Sequence, residues 1–133
     1  MKVLVVDDER DVQVLFEQRF RKEIREHEIQ FVFAYSGEDA WSYLNKHDSE
    51  AVLILSDINM PGISGLELLR LIKNKYYSPP PIVMMITAYG DEENYKHCME
   101  LGADDFLAKP VDFALLKQKL KKHEMRKKLA VLK

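Results

Sequence analysis

Short apolar runs alternate along the chain with longer stretches in which apolar residues recur every three or four positions. The short runs are rich in β-branched residues, which favours strands, and the longer stretches have the period of helices. This alternation is typical of βαβ units around a parallel sheet. The predicted strands are VLVV (3–6), IQFVFA (29–34), VLIL (52–55), IVMMIT (82–87) and DFLA (105–108). The helical patterns cover 12–24, 37–47, 66–76, 91–101 and 112 onward.

The composition of each strand predicts its place in the sheet. The runs at 3–6, 52–55 and 82–87 are apolar throughout, as expected of strands covered on both faces. The run at 29–34 contains Gln30 and is predicted at an edge. We therefore expect an α/β fold: a doubly wound parallel five-stranded (βα)5 sheet in the flavodoxin-like order 2-1-3-4-5, with helices on both faces.

Length and composition favour one globular domain. The chain has 133 residues, 47% of them hydrophobic and 32% charged. No apolar run approaches the roughly 20 residues of a membrane span, so no membrane insertion is expected. The N-terminus lacks the apolar region and cleavage site of a secretory signal, and Cys98 is the single cysteine. These features predict a cytoplasmic protein without disulfides.

The net charge of -2 hides an asymmetry between an acidic body and a basic tail. Residues 1–116 carry a net charge of -9, whereas residues 117–133 carry +7. We expect a domain over 1–121 and a basic helical extension over 122–133, a linker to an output domain missing after Lys133. Nucleic acid is an unfavoured partner for the tail because no helix-turn-helix follows it. The apolar positions Met125, Leu129 and Leu132 fit either a short coiled-coil seam or a solvated, frayed end.

The histidines and the cysteine are not expected to form a site. The histidines are widely separated, so zinc binding is not expected, and surface positions are predicted for all four. Cys98 is predicted as a small packing residue or a half-exposed thiol. The histidines are His27, His47, His97 and His123.

Polar and charged residues follow four of the predicted strands. Asp7, Asp8 and Glu9 follow the first strand, and Asp57 follows the third. The fourth strand ends in Thr87, and Lys109 follows the fifth. Any one of these residues could simply form a cap or turn. Because the carboxyl ends of parallel strands meet at one edge, we expect them to converge.

Converging carboxylates need a cation, because like charges raise one another's pKa and destabilise the fold. Oxygen ligands suit Mg²⁺, which keeps part of its water shell and commonly binds phosphate as well. Lys109 and the hydroxyl of Thr87 would then supply a charge and a hydrogen bond to phosphoryl oxygens. The pattern therefore predicts magnesium-dependent phosphoryl chemistry centred on Asp57.

Four motifs give the chain a family resemblance. They are VVDDE at 5–9, SDINMPGISG at 56–65, MITA at 85–88 and FLAKP at 106–110. In this order and spacing, the sequence resembles the receiver domain of two-component response regulators, from residue 2 to about residue 120. The resemblance implies a signalling module rather than an enzyme, with at most self-catalysed phosphotransfer and dephosphorylation.

The resemblance also implies residue roles at the metal and the acceptor. Asp57 would be the phosphoacceptor, forming an aspartyl phosphate with a phosphoryl group from a histidine kinase. Asp8 and Asp57 would bind Mg²⁺, or Mn²⁺ in its place, with the backbone carbonyl of Asn59. Asp7 would support the ion through water.

Further residues would bind the phosphoryl group or respond to it. Lys109 would pair with the group, Thr87 would move to bond it, and the small Ala88 would leave access for the donor. Phe106 would rotate inward as the conformational switch. Asn59 and Tyr89, two positions past the acceptor and past Thr87, would modulate the rates. Tyr89 is bulky, so we expect it to shield the phosphoryl group from water and prolong the phosphorylated state.

The expected partners are a sensor histidine kinase or a histidine phosphotransfer protein in a phosphorelay. A homodimer through the helix at 91–101, the fifth strand and the last helix is a further expectation. Two other functions fit the predicted fold less well. A Mg²⁺-dependent phosphatase with an aspartyl nucleophile would need a second acid where Asn59 stands, and a flavin carrier would not have the acidic loop DDERD after the first strand.

Overall fold

A computed structural model describes residues 1–47, 53–75, 80–88 and 90–132, with side chains through residue 126. Five strands alternate with six helices, and each strand lies within two residues of its predicted position. The strands are β1 (Lys2–Val6), β2 (Gln30–Ala34), β3 (Leu53–Asp57), β4 (Ile82–Ala88) and β5 (Asp105–Lys109). The helices are α1 (Asp11–Arg19), α2 (Arg21–Arg25), α3 (Gly37–Lys46), α4 (Gly65–Asn74), α5 (Glu92–Glu100) and α6 (Phe113–Leu132).

The strands form one parallel sheet in the order β2-β1-β3-β4-β5, which confirms the predicted flavodoxin-like fold. Strand β2 lies at an edge, as Gln30 indicated. Strand β2 pairs with one side of β1, and β3 pairs with the other side of β1. The order in which successive strands are added to the sheet therefore reverses between β1 and β3, and a crevice opens at their carboxyl ends.

Helices cover both faces of the sheet because alternate strand residues point in opposite directions. In β1, Leu4 and Val6 pack under α3, α4 and α5, in a cluster that includes Leu69. Val3 and Val5 point to the other face, under α1 and α6. Burial on both faces explains why the central strands are apolar throughout.

The helical pattern predicted over 12–24 is divided in the structure. Phe20 leaves helical geometry, with φ -110° and ψ 22°, and separates α1 from α2. Its ring is fully buried and lies 5.9 Å from Phe16 and 5.0 Å from Phe31, measured between ring centroids. Aromatic packing therefore keeps the apolar residues of both helices on one face, although the helix is interrupted.

His123 corrects one prediction about the histidines. Its side chain is fully buried, whereas a surface position was expected. The cause is a carboxylate partner, Asp105, on β5. Cys98 is also fully buried, so of its two predicted states it adopts that of a packing residue. Burial raises the pKa of its thiol to about 11.

The last helix continues without interruption to Leu132. Met125 is 65% exposed, and the side chains of Leu129 and Leu132 lie outside the described part, so the coiled-coil seam stays a prediction. Tyr76, at the end of a predicted helix, lies outside the described residues as well. Among the helices described, none has the length and apolar character that crossing a membrane requires.

Candidate functional site

Three carboxylates meet at the carboxyl edge of the sheet. Asp7 follows β1 directly, Asp57 is the last residue of β3, and these strands are neighbours. One carboxylate oxygen from each of Asp7, Asp8 and Asp57 lies within 4.8 Å of the others. Asp7 and Asp57 are 7% and 4% exposed, and Asp8 is open to solvent. The predicted convergence of the acidic residues is therefore present.

Asp57 has a partner for each of its oxygens. Lys109, at the end of β5, places Nζ 2.8 Å from Oδ2. The backbone N–H of Asn59 donates to Oδ1 over 3.4 Å. Burial disfavours the charged lysine, but the hydrogen bond to Asp57 and the nearby carboxylates outweigh it, so the pKa of Lys109 is raised. Lys109 therefore remains an ammonium group and balances one of the three carboxylates.

Asp7 is disfavoured as an anion. Burial raises its pKa above the ordinary value, although its Oδ1 accepts a 2.9 Å hydrogen bond from the backbone N–H of Glu9. The negative charge of Asp57 raises the pKa further. One lysine does not offset the charge of three close carboxylates, so a cation in the cluster would stabilise them.

The donor set fits a hard divalent cation. Three carboxylates supply only oxygen ligands, which Mg²⁺ and Mn²⁺ accept and for which softer metals have less preference. The exposed Asp8 leaves one side of the cluster open to water and phosphate. Asn59, two residues past Asp57 in the same loop, is also exposed.

The loop over residues 58–64 connects Asp57, at the end of β3, to α4. The N–H of Gly65 donates to the carbonyl of Ile58 over 2.8 Å, which joins the two ends of the loop. A Cβ at Gly65 would lie 2.0 Å from the carbonyl oxygen of Asp57. Only glycine therefore fits, and α4 can begin directly against the end of β3. The hydroxyl of Ser64 caps this helix by accepting from the N–H of Glu67.

Thr87 and Phe106 lie on β4 and β5, the two strands that follow β3 in the sheet. The hydroxyl of Thr87 is buried and donates to the carbonyl of Leu107 over 3.5 Å, at the limit of a hydrogen bond. Phe106 is half-buried, and its ring centroid lies 4.5 Å from that of the exposed Tyr95. Because this hydrogen bond is weak, rotating the Thr87 side chain toward another acceptor costs little free energy.

Ala88, another of the predicted residues, ends β4. Ala88 is exposed and pairs in register with Lys109. The bond between Lys109 and Pro110 is cis. Tyr89 lies outside the described residues, so its shielding role stays a prediction.

One contact at the site was missed in the sequence. Glu38, in the first turn of α3, accepts a 2.8 Å hydrogen bond from the N–H of Ile63 in the loop after Asp57. Acidic residues are common in first helical turns because they favour the helix dipole, so Glu38 had an ordinary explanation. The GED sequence after Ser36 gave no sign of a contact 25 residues away.

Comparison with known proteins gives one family over most of the chain. Residues 3–121 match the response regulator receiver domain. The response regulator RppA of Synechocystis is 34% identical over 121 residues, which is 91% of this chain and 49% of RppA. The chain thus spans about half the length of that relative.

Solved structures agree with the sequence match. A response regulator receiver domain protein from Clostridium thermocellum is 27% identical with a TM-score of 0.83, covering 97% of this chain and 98% of that one. The receiver domain of Saccharomyces cerevisiae Ssk1, solved with the histidine phosphotransfer protein Ypd1, is 25% identical with a TM-score of 0.75, covering 90% and 85%. The chain belongs to the response regulator receiver domain family of two-component signalling.

Proposed function

We propose that Asp57 accepts a phosphoryl group from a phosphohistidine in a Mg²⁺-dependent step. The observation that carries the proposal is the pairing of a buried Asp57 with Lys109 inside a cluster of three carboxylates. One lysine leaves part of the charge of three close carboxylates uncompensated, so the arrangement supports a cation and a phosphoryl group as its ligands.

The proposed transfer needs positioning and charge neutralisation from the protein. An oxygen of Asp57 attacks phosphorus while the bond to the donor nitrogen breaks, and the histidine, already protonated on its other ring nitrogen, leaves as neutral imidazole. The ammonium group of Lys109 changes its partner, from the free carboxylate of Asp57 to the incoming phosphoryl oxygens. Asp8, Asp57 and the carbonyl of Asn59 would hold Mg²⁺, and Asp7 would support the ion through water. When bound, the ion neutralises the charge that accumulates on the phosphoryl oxygens.

The proposed response involves Thr87 and Phe106. Once Asp57 carries a phosphoryl group, Thr87 exchanges its 3.5 Å bond to Leu107 for a stronger bond to a phosphoryl oxygen. The space that Thr87 leaves admits Phe106, which changes the surface formed by α5, β5 and α6. The output is a change of partner, including association with a second copy through that surface.

The proposed donor is a histidine kinase or a histidine phosphotransfer protein. An open groove beside Lys109 is lined by apolar residues of α1 and of the segment after β5, among them Leu15 and Val111. Leu15 and Val14 are 40% and 58% exposed. Ssk1, a relative with the same fold, was crystallised with such a phosphotransfer protein. The groove would accept the apolar surface of the donor next to Asp57.

Intact mass spectrometry after incubation with acetyl phosphate and Mg²⁺ tests this function. Wild type should gain one phosphoryl group, and Asp57→Asn or removal of Mg²⁺ should abolish the gain. Glu100→Gln, which removes an exposed acid on α5, is the control and should be phosphorylated normally. An adduct that persists in Asp57→Asn would contradict the assignment of the acceptor. Continuous phosphate release without an adduct would instead indicate a phosphatase.

A further inference from the structure

Glu38 binds the loop that follows the proposed acceptor. Its Oε1 accepts a 2.8 Å hydrogen bond from the backbone N–H of Ile63. Ser36 fixes the start of α3, since its hydroxyl accepts from the N–H of Asp39 over 3.0 Å. The carboxylate of Glu38 is thus presented by a capped helix end to a loop 25 residues away in sequence.

Two glycines allow this close approach. Gly62 has φ +73°, and a Cβ there would lie 2.6 Å from Oε2 of Glu38. A Cβ at Gly37 would lie 2.4 Å from the carbonyl oxygen of Ile63. The loop backbone therefore lies directly against the first turn of α3. Larger residues at either position would push the loop away from Glu38.

The same loop is also fixed where it leaves β3. The N–H of Ile58 donates to the carbonyl of Ile86 on β4 over 3.2 Å, and the N–H of Gly65 donates to the carbonyl of Ile58. Between Ile58 and the contact with Glu38 lie Asn59, Met60, Pro61 and Gly62. The position of Asn59 thus depends on backbone hydrogen bonds at the β3 side of the loop and on Glu38 at the other side, while its own N–H donates to Oδ1 of Asp57.

We propose that Glu38 is a positioning residue for the metal site, holding the loop so that the carbonyl of Asn59 is placed for Mg²⁺. The proposal rests on the proposed function, in which that carbonyl is a metal ligand. Glu38 does not touch the ion. It lowers the cost of ordering the loop when the ion binds, because the loop is already held in the metal-free protein.

Metal affinity and amide exchange together test the proposal. Mg²⁺ titrations by calorimetry should show about fivefold weaker binding for Glu38→Ala, the size expected from losing one hydrogen bond. Glu38→Gln keeps the acceptor oxygen and should restore most of the affinity. Asp39→Ala removes the same charge from the same helical turn and should bind as wild type does. The amide of Ile63 should exchange faster in Glu38→Ala than in wild type, without metal.

The outcomes separate this inference from the proposed function. Wild type that binds Mg²⁺ and a Glu38→Ala variant that binds equally well would overturn the positioning role alone. If Asp39→Ala weakens binding as much as Glu38→Ala, general charge explains the effect and the role is again overturned. Wild type that binds no Mg²⁺ would overturn the proposed function, and this inference with it. A merely structural role would lower the melting temperature of Glu38→Ala and leave its Mg²⁺ affinity unchanged.

Discussion

Nε2 of the buried His123 lies 2.8 Å from Oδ2 of Asp105 and joins α6 to the start of β5. Lys119, one helical turn earlier, donates to the other oxygen, Oδ1, over 2.7 Å. Asp105 also accepts from the backbone N–H of Phe106. One carboxylate therefore fixes the position of α6 along the sheet, next to the residue proposed as the switch.

The pKa of Asp105 makes this contact measurable. Burial alone would raise it, but the hydrogen bonds from Lys119, His123 and Phe106 prevail and lower it to about 2. A lowered folded-state pKa means that the stabilisation is present above the unfolded value, 3.8, and is lost as pH falls toward 2. We expect the free energy of unfolding of Asp105→Asn to be about 2 kcal/mol below that of wild type at pH 6.

The difference in the free energy of unfolding between the two proteins should shrink between pH 4 and pH 2. Urea unfolding at each pH measures it. Glu100→Gln, an exposed acid on α5, is the control, and its stability should stay within about 0.5 kcal/mol of wild type at pH 6. A constant gap between wild type and Asp105→Asn over this pH range would show that the carboxylate charge is not what stabilises α6.

The burial of His123 shows where sequence patterns stop being informative. The residue lies in the run KKHEMRKK, where every neighbour but Met125 is charged, so a solvated helix end was the natural interpretation. His123 continues the helical spacing of the buried Leu116 and Leu120, but its burial also depends on Asp105, 18 residues earlier, and a local pattern does not show that partner. The fold itself was predictable, because strand composition and helical period report burial locally.

The candidate site was partly predictable for a related reason. Asp7, Asp57, Thr87 and Lys109 all stand at strand ends, and a parallel sheet brings strand ends to one edge. Glu38 could not be found this way, because it lies on a helix and contacts a loop. The break of the first helix at Phe20 also depends on tertiary packing, which the regular apolar spacing does not reveal.

Removing one carboxylate from the cluster should stabilise the metal-free protein. Burial and the charge of Asp57 both raise the pKa of Asp7, so its ionised form costs folding free energy at neutral pH. Asp7→Asn keeps an acceptor for the N–H of Glu9 and should raise the melting temperature by a few degrees in EDTA.

With saturating Mg²⁺ the order should reverse, because wild type gains more from the ion than the variant does. Calorimetry with and without Mg²⁺ gives both values for each protein. A variant less stable than wild type in EDTA would refute the repulsion argument.

Gly65 should tolerate no side chain. Alanine normally favours a helix over glycine, but its Cβ would lie 2.0 Å from the carbonyl of Asp57. We expect Gly65→Ala to lower the free energy of unfolding by about 3 kcal/mol or more in urea, because the backbone must move at the end of β3. Gly102→Ala is the comparison: its φ of +88° is strained for alanine, but the nearest atom is 3.9 Å away, so about 1 kcal/mol is expected. Equal losses would mean that the loop adjusts without cost.

The proposed response through Thr87 can be separated from phosphorylation itself. Thr87→Val keeps the shape and removes the hydroxyl, so Asp57 should still be phosphorylated while the switch fails. Fluorotyrosine incorporated at Tyr95, whose ring lies 4.5 Å from Phe106, reports the movement by ¹⁹F NMR, with Tyr95→Phe used to assign the signal.

Acetyl phosphate and Mg²⁺ should shift the Tyr95 signal in wild type and in Thr87→Ser, which retains the hydroxyl. In Thr87→Val the mass increase should occur without the shift, because no group then exchanges the bond to Leu107 for one to the phosphoryl oxygen. A full shift in phosphorylated Thr87→Val would exclude the hydroxyl as the link between Asp57 and Phe106.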